Sequence, residues 1–216
     1  MRERSAAVLE GAQGAPRVAP DAAWFTRSPQ EVALGLLDAH VRAKSADGAV
    51  TVRLSEVEAY GGADDPGSHA FRGRTARNAA MFGPPGHVYV YFTYGMHWCA
   101  NLVTGPDGEA SAVLLRAGEV VEGVELARTR RPTSRTDRDL ASGPARLANA
   151  LGIRGGHDGA DALDPGGAVS LRVREVPAGG VAGGPRTGVS GDGGLARYPW
   201  RYRLEGDPTV SRYRAA

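Results

Sequence analysis

Two short stretches carry the residues best suited to chemistry: Leu54-Ser-Glu-Val-Glu-Ala-Tyr60 and His87-Val-Tyr-Val-Tyr-Phe-Thr-Tyr-Gly-Met-His-Trp-Cys-Ala-Asn101. Period-2 alternation along an extended chain puts Glu56, Glu58 and Tyr60 on one face, with Ser55, Val57 and Ala59 on the other. Two carboxylates so placed would raise the pKa of one of them, which suits a general acid or base. In the second stretch His87, Tyr89 and Tyr91 share a side, and Tyr94-Gly95 falls where a hairpin must turn back. Carboxylates beside several aromatic rings describe a pocket for a flat substrate with an acid or base at its edge. A nucleobase fits that description.

Each feature also has a plainer reading. An isolated Glu-x-Glu is more often a pair of solvated strand residues, and a tyrosine stripe is more often packed core. The long polar loop after Tyr60, with Asp64, Asp65 and His69, favours the pocket. Tyr94 fits core packing badly, because a ring directly before Gly95 at a hairpin tip should point into solvent. There it can serve as a wedge between bases.

The elements that must position these residues follow from local signals. Residues 1–20 are rich in Ala, Gly, Pro and charge, and read as a loose N-terminal arm ahead of one domain over 21–216. Ser28-Pro29-Gln30-Glu31 is a helix start with cap, N1 proline and capping-box acid. Residues 39–60 read as two strands joined at Ala46-Asp47-Gly48. Gly61 to Gly86 is a long irregular connection of the kind that carries function. The tyrosine hairpin follows, then a strand over Ser111–Arg116. Helices are expected over Glu119–Thr129 and Gly143–Leu151, the second capped at Ser142-Gly-Pro144. A Gly-rich run (Gly179–Gly194) leads to a strand over Tyr198–Leu204. Antiparallel strands in sequence order with flanking helices make an α+β domain around a curved sheet.

Composition narrows the partners. The 216-residue chain has a net charge of +2, 23% charged and 42% hydrophobic residues, so overall charge does not announce a polyanion. Of its 26 basic residues only Lys44 is a lysine. That bias, with abundant Gly, Ala and Pro, matches a GC-rich coding sequence; particular arginine clusters retain a phosphate-binding reading. The single Cys99 excludes an internal disulfide and any multi-cysteine metal site. The N-terminus has no secretory apolar run and no segment could span a bilayer as a helix, so a cytoplasmic, nucleoid-associated protein is expected.

Taken in order, Glu58-Ala-Tyr60, the Asp-rich loop to His69, Arg77-Asn78, Met81-Phe82, Tyr89-Val-Tyr91, Tyr94-Gly-Met96, Asn101, Leu114-Leu-Arg116, Ser142-Gly-Pro144, Arg186-x-Gly188 and Tyr198–Ser211 resemble the alkyladenine (3-methyladenine) DNA glycosylase family. The resemblance covers roughly residues 20 to 212 and rests on an ordered set of motifs. It implies a single mixed α/β domain with an antiparallel sheet, not a helix-hairpin-helix protein. It further implies an enzyme that flips alkylated or deaminated purines out of duplex DNA and hydrolyses the N-glycosidic bond. Glu58 would be the general base and Arg116 would help to hold the water. Tyr60, His69, Tyr91 and Asn101 would form the base pocket, with Asn101 discriminating against the exocyclic amine of guanine. Tyr94 would fill the gap left in the stack. Thr75, Arg77, Met81 and Arg146 would meet the DNA backbone, Arg146 at a helix N-terminus that already favours phosphate. The expected partner is double-stranded DNA containing damaged purines, met by a monomer without cofactor or metal. Lys44 lies well before the motifs, so no amine is in place for a Schiff base and a monofunctional enzyme is expected. Two other readings draw on the same residues. Glu56, Glu58, Asp64, Asp65 and His69 could serve a metal-dependent phosphoesterase. The tyrosines could equally stack bases in a non-catalytic binding module.

Overall fold

The computed structural model describes residues 16–93, 95–175 and 179–216. The expected start signals behave as read: Ser28 caps helix α2 (Pro29–Leu36) in a reciprocal capping box with Glu31, after a single turn α1 (Ala22–Phe25) capped by Asp21. Two features differ at the N-terminus. Arg17–Val18 forms a short strand β1 that pairs with β7 (Val169–Arg174), and Arg17 binds Asp38, so the described body begins ahead of residue 21.

The centre is one open antiparallel sheet, and the architecture is α+β. Strand β3 (Gly48–Tyr60) is its axis. Along one edge β3 pairs throughout with β6 (Ala112–Glu122). Along the other it pairs first with β2 (His40–Ser45) and then, at Glu56–Glu58, with β9 (Arg201–Leu204), which also carries β8 (Val181–Gly184). Beyond β6 lie β5 (His97–Val103) and β4 (Val88–Thr93), the tyrosine hairpin. The expected helix over 119–129 is corrected. Residues 119–122 extend β6, where Val120 pairs with Val52, and Gly123 (φ 73°) ends the strand and starts a shorter helix α3 (Val124–Arg130). Helix α4 (Pro144–Leu151) begins as expected, with Gly143 at its cap.

A pair of compensating bulges decides which face the chemistry uses. Pairing passes from Leu54↔Gly118 to Glu56↔Ala117 to Val57↔Leu115, so Ser55 on β3 and Arg116 on β6 have no partner. Each bulge reverses the alternation of its strand. The core therefore takes Val50, Val52 and Leu54 before the bulge and Val57 and Ala59 after it. Without it, Glu56 and Glu58 would continue the Leu54 face into the apolar core. Gly118 sits opposite, where a Cβ would lie 2.3 Å from the Arg53 carbonyl oxygen; only glycine lets the strands approach this closely.

Candidate active site

The loop after β3 is held from within. Asp65, fully buried, accepts from the backbone N–H groups of Gly61 (3.0 Å) and Gly67 (2.9 Å), and both its oxygens take a guanidinium N–H from Arg186 (2.5 and 2.6 Å). Further on, Thr75 and Asn78 form a reciprocal capping box on a 3-10 turn (Ala76–Phe82), and the Asn78 amide donates to the carbonyl of His69 (2.9 Å). These contacts bring His69 against the hairpin. Its Nδ1 lies 3.0 Å from the Tyr89 hydroxyl, and its ring meets Tyr91 edge to face at 4.6 Å.

Tyr60, His69, Tyr89, Tyr91 and Asn101 line one pocket, so the four expected base-pocket residues come together, with Tyr89 added. Tyr60 forms one wall; the His69–Tyr91 pair forms another. The free space among them is about 30 Å³, room for water-sized contents. Asn101 is buried and its Nδ2 donates to the Tyr89 carbonyl (3.0 Å), which fixes the amide. Met81, expected at the DNA backbone, is 2% exposed; its side chain lines this pocket and packs with Tyr89, Val103 and Ala112. The signal available was its i+3 spacing from Asn78 in a 3-10 turn, which puts the two on one buried face.

Behind Tyr60 sits Glu58, with no exposed surface. Its Oε2 accepts from the Tyr60 hydroxyl (2.9 Å) and Arg116 Nη1 (3.2 Å), and its Oε1 accepts from the backbone N–H of Thr187 (2.7 Å). Arg116, carried on the bulge, places Nε on Glu56 Oε1 (2.8 Å), so it stands between the two carboxylates. Glu56 is claimed further by Arg201 Nε (2.6 Å) and the Ser211 N–H (2.6 Å). Three donors fix each carboxylate, and each keeps one oxygen with a single donor, Oε2 of Glu56 and Oε1 of Glu58. What distinguishes Glu58 is its bond to the pocket-lining Tyr60.

Burial pushes the Glu56 carboxyl up, but the Arg116 and Arg201 charges and the Ser211 bond outweigh it and hold the group below the usual range. The pairing of carboxylates therefore does not raise Glu56; the intervening guanidinium prevents it. Burial, then the Glu58 charge, hold the Tyr60 phenol well above 10, so it stays a proton donor to Glu58. Burial lifts Tyr89 to about 12 and Tyr91 higher still. Burial, and then the Arg77 charge, lower His69 below 6.5, which keeps its ring neutral.

Around the pocket, Thr75 and Arg77 are exposed; Arg77 Nη2 donates to the Phe92 carbonyl (2.9 Å) and so braces the hairpin near its tip. Arg146 is exposed in the first turn of α4. Tyr94 lies outside the described residues. Of the described residues near the tip, Met96 is 66% exposed and Phe92 41%. Three contributors escaped sequence reasoning: Asp65 as a purely structural acid, Arg186 as its counterion, and Thr187 through its backbone. The Arg186-x-Gly188 motif marked the place without revealing the role. Among the described residues no group of three His, Cys, Asp or Glu side chains is arranged to hold a metal, and Glu56 and Asp65 are both committed to arginines.

Comparison with known proteins agrees with this geometry. A family model described as methylpurine-DNA glycosylase (MPG) matches residues 23–208. A protein of Streptomyces avermitilis is 59% identical over 194 residues, spanning 89% of this chain and 90% of its own length. One from Leifsonia xyli subsp. xyli is 56% identical over 195 residues (88% and 90%), and one from Nocardia farcinica 52% over 192 residues (86% and 87%). All three carry the name "Putative 3-methyladenine DNA glycosylase". The aromatic pocket, the buried glutamate beside it and the sheet that aligns them lie within the matched span, and the chain belongs to the methylpurine-DNA glycosylase family of DNA-repair enzymes.

Proposed function

We propose that this glycosylase takes a flipped, alkylated or deaminated purine between Tyr60 and the His69–Tyr91 pair, and hydrolyses its N-glycosidic bond with a water deprotonated by Glu58. The observation that carries this reading is the placement of Glu58: buried directly behind the pocket wall formed by Tyr60, whose hydroxyl it binds, and oriented by two further donors that leave a lone pair on Oε1. Arg116 uses N–H groups on Glu56, Glu58 and Ser211 and retains others to hold the water.

Energetics support the aromatic walls. Flipping costs a few kcal/mol of unstacking, least for damaged or mispaired bases. Stacking contributes about 1–3 kcal/mol per base, so rings on both faces of the base offset that cost. Tyr94 is assigned the wedge on its position in the sequence, directly before Gly95. A cationic alkylated purine is already a good leaving group and gains attraction from the tyrosine faces. The buried Asn101 amide is the group to reject guanine's exocyclic amine. Lys44 is exposed on β2, paired with Ala49 at the far end of β3 from Glu58, so no lysine is available there for a Schiff base.

The test is product analysis. Duplexes carrying 3-methyladenine, hypoxanthine or 1,N6-ethenoadenine should yield free base and an intact abasic strand, with activity unaffected by EDTA. A borohydride-trapped protein–DNA adduct, or strand cleavage without alkali or heat, would overturn the monofunctional reading.

A further inference from the structure

The tyrosine hairpin has two faces with different furniture. Tyr89, Tyr91 and Asn101 face the base pocket, whereas Phe92 and Trp98 stack at 4.6 Å on the other face near the tip. On that second face lies a separate groove of about 400 Å³, running from Met96, His97 and Trp98 to Arg131, Arg146 and Arg154. The groove is cationic: the ion pairs formed among the described residues leave all three of these arginines without a carboxylate. Burial first, and then the Arg146 charge, lower the pKa of Arg131 against the opposing Asp139 carboxylate, and Arg131 Nε is buried with no hydrogen-bond partner. Three arginines with no salt bridge, and only Asp139 near one of them, fit a site whose anion comes from outside.

We propose that this groove holds the sugar–phosphate backbone of the strand that pairs with the lesion strand. The inference rests on the glycosylase reading, and its basis is position. A hairpin tip that enters the duplex at the lesion has one strand on each side. The lesion strand must run past the tyrosine face to deliver its base to the pocket, which leaves the complementary strand on the Phe92–Trp98 face. Guanidinium groups match phosphate oxygens bidentately. Arg146 and Asn149 stand one turn apart on α4, both exposed, and Arg154 follows the helix end. The eight-residue helix is about 12 Å long, which spans roughly three nucleotide rises of a strand.

The test compares binding of a hypoxanthine duplex with binding of the same lesion as a single strand, over a range of salt concentrations. The variants are Arg154→Gln, wholly on the surface, and Arg131→Gln/Arg154→Gln. Expected is weaker duplex binding, with the salt dependence of log K shallower by about 0.9 for each phosphate contact removed. Single-strand binding should be unchanged. Methylphosphonates opposite the lesion in the complementary strand should erase the difference between variant and parent; the same substitution in the lesion strand should not. Equal weakening on both substrates would assign the groove to the lesion strand, and no weakening on either would make it ordinary solvated surface; both overturn the proposal. Thermal unfolding of Arg154→Gln verifies that the fold is intact. Because binding is the readout, the strand assignment is decided even if no base is released, an outcome that would instead sink the glycosylase reading.

Discussion

The guanidinium of Arg186 lies 4.5 Å from the ring centroid of Tyr60, on a wall of the base pocket. Both its terminal nitrogens are bound to Asp65, its Nη1 also donates to the Ala59 carbonyl, and the next backbone N–H, that of Thr187, is bound to Glu58. One buried cation thus backs a pocket wall, anchors the loop that leads to His69 and precedes a hydrogen bond to Glu58. Breaking a buried pair by removing one partner costs about 3–5 kcal/mol, because the other charge stays buried. Arg186→Met should lose that much in urea unfolding, and Arg186→Met/Asp65→Asn should recover part of it. A single variant within about 1 kcal/mol of the parent would show that the pair does not hold the loop.

Gly118 supports the site through the strand crossing. Gly118→Ala pushes a methyl group against the Arg53 carbonyl and Val52, opposite the Ser55 bulge. Overpacking of this kind costs about 1–3 kcal/mol. The excision rate should fall as well, since Glu58 and Arg116 flank the same irregularity. Unchanged stability together with unchanged excision would mean that the bulge tolerates a wider strand spacing.

Local signals were sufficient for most elements and for the shared face of the hairpin tyrosines, whereas His69 and Asn101 were placed in the pocket by the family resemblance. Ser28, Pro29 and Glu31 marked α2, and the hairpin turn and the shared face of Tyr89 and Tyr91 followed from spacing alone. The bulges were not legible, because Ser55 and Arg116 are defined by what fails to pair across β3 and β6. The alternation read from Tyr60 back to Ser55 holds, but it reverses beyond Ser55. Residues 119–122 looked helical because Val120 and Val121 fit either period; pairing with β3 decides for strand. The pairing of Asp65 with Arg186 was not legible either, because a buried ion pair does not announce its partner in sequence.

His69 gives a pH dependence. Its pKa in the folded protein is below the ordinary 6.5, through burial first and the Arg77 charge second. The unfolded chain therefore binds the proton first as pH falls, and stability is lost as pH drops from about 6.5 toward the lower folded value. His40 is shifted the same way and adds to the trend. Urea unfolding at pH 7.5 and 5.5 should show a smaller acid-induced loss in His69→Asn than in the parent. An equal loss would place the whole effect at His40.

Glu58 is the group on which the catalytic reading stands or falls, and single-turnover excision from a hypoxanthine duplex by Glu58→Gln measures it most directly. The amide keeps the size of the side chain but cannot take the proton of a water. Removal of one general base costs roughly 10²–10⁴-fold. Excision should fall by that factor while binding to the lesion duplex stays near that of the parent. Thermal stability should drop, because Arg116 is left with Glu56 alone as its counterion. A variant that binds normally and excises at near-parental rate would contradict the assignment of Glu58 as the base.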